Sequence, residues 1–164
     1  MTKCYKTVRL ALETRIWISE LIANRMAALT KESNVLIEEM ESILYREMSE
    51  KLNGVSLKIT PQVTVGSVIE LAYRETQKKN YGVDDWNAIS SKMEAEISEM
   101  KFEIIGADFT PRMSLDIEVL SGLEELRCRL SQGAVRLARL SYIIKLVVFG
   151  YKRQMSGELG NDEN

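Results

Sequence analysis

Apolar residues recur at helical spacing from the first turns of the chain. Val8, Leu12, Ile18, Leu21, Ile22, Met26 and Leu29 line one side of residues 5–29, while Arg9, Glu13, Glu20 and Asn24 form a narrow polar strip. Ile16 and Trp17 widen the apolar arc past one face. A helix this apolar is either central in a bundle or buried in an oligomer. Thr30-Lys31-Glu32-Ser33 predicts a break, with Thr30 or Ser33 as the next N-cap. Ile37, Met40, Leu44, Met48 and Leu52 then form a regular stripe, and Gly54 supplies a helix end.

Val55-Ser56-Leu57-Lys58-Ile59-Thr60 alternates apolar and polar, which predicts a short strand. Thr60-Pro61 reads as an N-cap and first-turn pair. The helix beyond it carries Val65, Val68, Ile69 and Ala72 on one side and stops before Asn80-Tyr81-Gly82. Asp84 or Asp85 caps a further helix, on which Trp86, Ile89, Met93, Ile97, Met100 and Ile104 keep helical spacing to Gly106. Thr110-Pro111 repeats the start signal. One long helix, or two broken near Gly133, runs from there to Met155.

The predicted fold is therefore mainly α: a single-domain bundle of five or six helices over 1–156, with at most a small two-stranded ribbon made from 55–60 and 102–109. Residues 157–164 read as a flexible acidic tail. Glu47-Met48-Ser49-Glu50 is echoed by Glu96-Ile97-Ser98-Glu99, and the two Thr-Pro pairs follow at nearly the same offset, a faint internal repeat. A ribbon-helix-helix reading of 55–100 fails on charge, because Asp84 and Asp85 stand where a helix N-terminus would hold phosphate.

Composition narrows the chemistry. The chain has no histidine, which removes the commonest general base, the histidine-dependent triads and His-ligated zinc. Cys4 and Cys128 stand alone, so neither a zinc site nor a disulfide framework is expected, and reduced thiols point to the cytoplasm. No apolar run approaches the roughly 20 residues that span a bilayer, so no integral membrane segment is expected, nor is a secretory signal. Glu38/Glu41, Glu47/Glu50 and Glu96/Glu99 have the i,i+3 spacing of carboxylates that hold magnesium in all-helical nucleotide pyrophosphatases. No Glu-x-x-Asp accompanies them, and solvated glutamate faces have the same appearance. No metal, cofactor or catalytic residue is assigned.

Charge is distributed unevenly. Arg127, Arg129, Arg136, Arg139, Lys145, Lys152 and Arg153 lie between Leu126 and Met155 with no carboxylate among them; subtracting these seven charges from the net of -2 leaves -9 elsewhere. If helical, Arg129, Gln132, Arg136 and Arg139 fall on one face. They and Lys145 are the predicted partner-binding residues. Four readings compete: pairing with the acidic helices of 32–50 and 84–103, an acidic protein partner, nucleic-acid phosphate, or a membrane surface on which a mixed basic-apolar helix can lie. The apolar arc of Ile16, Trp17, Ile18, Leu21 and Ile22 predicts a homo-oligomer interface, by default a dimer. The expected function is that of a non-enzymatic interaction protein: an adaptor, an assembly-ring subunit or an inhibitor, of the kind phages and mobile elements encode. Nucleic-acid binding is the alternative, and magnesium-dependent nucleotide hydrolysis the third reading.

Overall fold

A computed structural model describes residues 2–100 and 109–157, the side chains of 31–33 excepted. It is mainly helical with one small antiparallel ribbon, as the periodicity predicts. The element order is β1 (Lys3–Thr7), α1 (Leu12–Leu52), α2 (Val65–Lys78), α3 (Val83–Glu99), β2 (Arg112–Asp116), α4 (Ile117–Leu130) and α5 (Leu140–Met155).

The core forms around α5, which packs on α1, α2, α3 and α4. Leu140, Ile143, Ile144 and every residue from Leu146 to Gly150 are buried. A helix apolar on all sides has no face to give to water, so its neighbours must enclose it. Trp17 and Trp86 do much of this, as core residues rather than a recognition surface. The Trp17 and Phe149 rings lie 5.1 Å apart, and a Cβ at Gly150 would stand 3.4 Å from the Trp86 ring.

The ribbon is not where the alternation predicts it. β1 pairs with β2 in the register Lys3↔Asp116 to Thr7↔Arg112, and Leu10 bridges Phe109. Residues 102–108 of the expected second strand lie outside the described residues. Thr110-Pro111 leads into β2 rather than a helix, since proline is as acceptable at the start of an edge strand as at a helix N-terminus. Residues 55–60 are extended but pair with no strand. Leu57, Ile59, Pro61 and Val63 alternate toward partial burial, as a strand would. The Leu57 amide donates to the Tyr45 hydroxyl at 2.8 Å and the Ile59 amide to Glu41 at 3.1 Å, so side chains of α1 take the place of a neighbouring strand.

The predicted break at 30–33 is absent, and α1 runs through it for 41 residues. No glycine or proline is present to force a break, and the Thr30 hydroxyl donates back to the Met26 carbonyl at 2.9 Å instead of capping a new start. Thr60-Pro61 does not begin α2. Thr64 caps it, with reciprocal bonds between Thr64 and Ser67. Neither Thr-Pro pair starts a helix and the first stripe belongs to one long helix, so the repeat has no counterpart in matching structural units. The long C-terminal helix is in fact α4 and α5, separated at Ser131 and Gly133, the glycine with φ +79°.

Gly66 holds α2 against the ribbon. A Cβ there would lie 2.5 Å from the Ser114 carbonyl oxygen, a backbone atom that cannot rotate away. Gly66→Ala should therefore destabilise the protein by about 1–3 kcal/mol, the usual cost of overpacking. An unchanged thermal midpoint by circular dichroism would mean that α2 and β2 do not meet this closely.

Candidate functional site

Among the described residues, two surfaces stand out as exposed once the core is assembled. The first is the C-terminal part of α1. Its opening turns face the core through Thr14, Trp17, Ile18 and Leu21, whereas beyond residue 33 no position is fully buried. Val35, Leu36, Met40, Ile43, Tyr45 and Met48 are all exposed here, a concentration that scattered surface apolar residues do not show. The returning chain covers only the side bearing Ile37, Glu41 and Leu44. Met26, Met40 and Met48, which helical spacing assigns to packing, are among the exposed residues.

The second surface is the connection between α4 and α5, residues 131–139. It is not helical, so Arg129, Gln132, Arg136 and Arg139 do not form the single helix face that their spacing predicts. Arg129 closes α4 and reaches the Tyr81 carbonyl at 3.5 Å. Gln132, Arg136 and Arg139 are exposed, together with Val135 at 103% and Leu137 at 50%. Ser131 fastens the loop by accepting the Ala138 amide at 2.9 Å, and Arg127 donates to the Ala138 carbonyl. Beside the loop, Ala11, Ala138, Arg139, Tyr142 and Lys145 line an open cleft of 270 Å³.

Lys145 does not belong with the free cations. It pairs with Glu13 at 3.1 Å, both side chains being largely buried. Lys152 likewise meets Glu96 at 2.9 Å and Glu20 at 3.7 Å, and Arg127 meets Glu124 at 2.9 Å. Internal pairing therefore accounts for part of the basic segment. Of the two acidic helices expected to supply it, α3 does so through Glu96. The acidic end of α1 does not, because its earlier residues Glu13 and Glu20 stand in that place. Trp17, Ile18 and Leu21, expected in an oligomer interface, are 1%, 1% and 5% exposed, covered by the chain itself; Ile16 and Ile22 pack against the same core. The breadth of that apolar arc comes from enclosure by α2 and α5, and it leaves no such patch for a second copy.

No family model, curated protein or solved structure matches the chain. Function must therefore be argued from these surfaces alone. Among the described residues no helix is long and apolar enough to cross a membrane, and no three metal-ligating side chains converge. Glu41 is occupied by the Ile59 amide and Glu96 by Lys152, so two of the spaced glutamate pairs have structural partners.

A cluster without any local sequence signal joins the ribbon to the helices. Glu70 of α2 and Asp116 at the end of β2 are buried carboxylates. Lys3 lies 2.7 Å from Glu70 and 3.0 Å from Asp116, while Arg74 pairs with Asp116 and approaches Glu70 at 3.8 Å. The Asp116 amide also donates to Glu70. Hydrogen bonds donated to Glu70 and Asp116 hold the Lys3 ammonium above its ordinary pKa. The Lys3 hydrogen bond, followed by that of Arg74, holds Asp116 below its own against the opposing effect of desolvation. Each carboxylate is paired with both cations, which makes the cluster a clasp between the ribbon and α2. Burial raises the phenols of Tyr73 and Tyr151.

The pH dependence follows from these directions. Asp116 contributes stability that is complete above its unfolded value of 3.8 and is lost as pH falls through the lower folded value. Lys3 contributes stability complete below 10.5 and lost as pH rises through its raised folded value. Asp116→Asn should lower the urea midpoint at neutral pH and flatten the acid limb of the stability profile. If wild type and variant lose stability equally between neutral pH and about pH 3, Asp116 is not the group that titrates.

Proposed function

We propose that the protein is a non-enzymatic interaction protein that works through protein–protein contacts on its exposed helix and loop surfaces. The observation that carries this reading is the projecting part of α1, where six large apolar side chains stand in solvent on an otherwise acidic helix. Ordering a long helix with so much uncovered apolar surface is unfavourable unless something covers it. The 131–139 loop adds two arginines, Arg136 and Arg139, with no ion pair among the described residues. Desolvated arginines beside apolar residues are frequent anchors of protein interfaces. An adaptor, a subunit of a larger assembly or an inhibitor that occludes another macromolecule would each use such surfaces. A phage or mobile-element origin and a cytoplasmic setting belong to this reading.

Nucleic acid is the second reading, favoured by the same unpaired arginines. The two separate in one experiment. Replacing Arg129, Arg136 and Arg139 together with Gln should leave stability within about 0.5 kcal/mol, as for ordinary surface substitutions. It should also abolish capture of the partner from source lysate, whether or not the lysate is nuclease-treated. Capture that disappears on nuclease treatment, or oligonucleotide binding whose logarithm falls linearly with the logarithm of salt, would replace the protein partner with nucleic acid.

Magnesium-dependent hydrolysis makes a different demand. Nucleoside triphosphates incubated with the protein and magnesium should remain intact. A turnover lost in Glu38→Gln or Glu41→Gln would overturn the non-enzymatic reading and assign those carboxylates to a metal.

A further inference from the structure

The two ends of α1 carry complementary surfaces that cannot meet within one chain. At its start, Ala11 shares a cleft with Ala138 and Arg139, so the 131–139 loop lies beside the first turn of the helix. That end is basic, and it exposes Val135 and Leu137. The other end is acidic: residues 34–52 hold five glutamates against Arg46 and Lys51. There Leu36, Met40, Ile43, Glu47 and Glu50 succeed one another at spacings of 4, 3, 4 and 3, so an apolar seam and its carboxylates share one face. The seam continues the row of Ile22 and Leu29, which precede Leu36 at heptad spacing, beyond the point where Ile22 packs against the core. Twenty-three residues of straight helix separate Ala11 from Asn34, about 35 Å at the helical rise. The acidic arm therefore has no route to the basic loop of its own chain.

We propose that the arm of one copy, along Leu36, Met40 and Ile43, docks on the 131–139 loop of a second copy, head to tail. This rests on the protein-partner reading and names the partner as another molecule of the same chain. Charge decides the pairing. Two arms brought together would oppose faces of net negative charge, and two loops would oppose arginines. Arm against loop matches sign with sign and apolar seam with apolar seam. The contact is heterologous, since each copy contributes a different surface to each neighbour, so it propagates into a closed ring or an open filament rather than stopping at a symmetric dimer.

Sedimentation velocity on the full chain, across protein concentration and between about 0.05 and about 0.5 M salt, tests this. Association beyond the 18.7 kDa monomer should appear and weaken as salt rises. Arg136→Glu with Arg139→Glu, and separately Glu47→Lys with Glu50→Lys, should each weaken it at least about tenfold while leaving the circular dichroism melt unchanged. Arg136→Gln with Arg139→Gln should weaken it less, having no new repulsion. Mixing the two reversed proteins should restore association, because each then offers the other a matched pair. A monomer at all concentrations overturns the inference, and so does an oligomer indifferent to the loop reversal or a mixture that stays dissociated. None of these results touches the protein-partner reading, which fails separately if capture from lysate depends on nucleic acid.

Discussion

Enclosing α5 is the constraint on which the rest of the structure depends. From Ile143 to Gly150 the helix offers only Lys145 as a polar side chain, and that one is drawn into a bridge with Glu13. A stretch this apolar cannot lie on the surface of a small protein, so four helices converge on it. Each does so with its most apolar face: Trp17, Ile18 and Leu21 from α1, Val68, Ile69 and Ala72 from α2, Trp86, Ile89 and Met93 from α3, and Val119, Leu123 and Leu126 from α4. At Gly150 the Trp86 ring lies in ordinary contact distance of the helix, 3.4 Å from where a Cβ would stand. Burial of a large aliphatic side chain contributes about 1.5–3 kcal/mol, so this concentration at one helix outweighs any single surface contact.

The ribbon depends on that core indirectly. A two-stranded sheet is marginal by itself, and β1 and β2 lie more than a hundred residues apart in the chain. Their pairing is held by α2, which presses Gly66 against Ser114 and supplies Glu70 and Arg74 to a cluster completed by Lys3 and Asp116. The arrangement also accounts for an otherwise odd helix start. Asp116 occupies the N-cap position of α4 but makes no side-chain cap, because its carboxylate is already engaged by Lys3 and Arg74.

The two halves of α1 differ in what they bury. The same helix that buries Trp17 within the core exposes Leu36, Met40 and Ile43 about five turns or more beyond it. The extended chain after Leu52 returns along only one of its sides. Continuity of the helix through Thr30–Ser33 therefore has a structural consequence: the second stripe stays in line with the first instead of starting a separate helix. Unbroken, it carries an acidic, apolar surface away from the basic loop.

Helical content and the apolar stripes were legible from the chain alone, and a break near Gly133 was one of two alternatives it offered, because each rests on local periodicity or on a residue with unusual backbone freedom. Local alternation also marked 55–60 as a short strand. It could not say that the partner would be Tyr45 and Glu41 of a helix instead of a strand. The breadth of apolar residues around Trp17 was equally visible, yet a wide apolar arc looks the same whether the chain's own helices or a second copy covers it. Within the candidate surfaces, Arg136 and Arg139 were identifiable from the charge run, while the commitment of Lys145 to Glu13 was not, since those residues stand 132 positions apart. The exposed seam on α1 had a signal in the 4-3 spacing of Leu36, Met40 and Ile43, but spacing alone reports a face and not whether it is buried. Sequence determines conformation and sidedness over a few turns. Which sides meet, which charges find partners and which surface is left over are decided only when distant segments compete for the same space around α5.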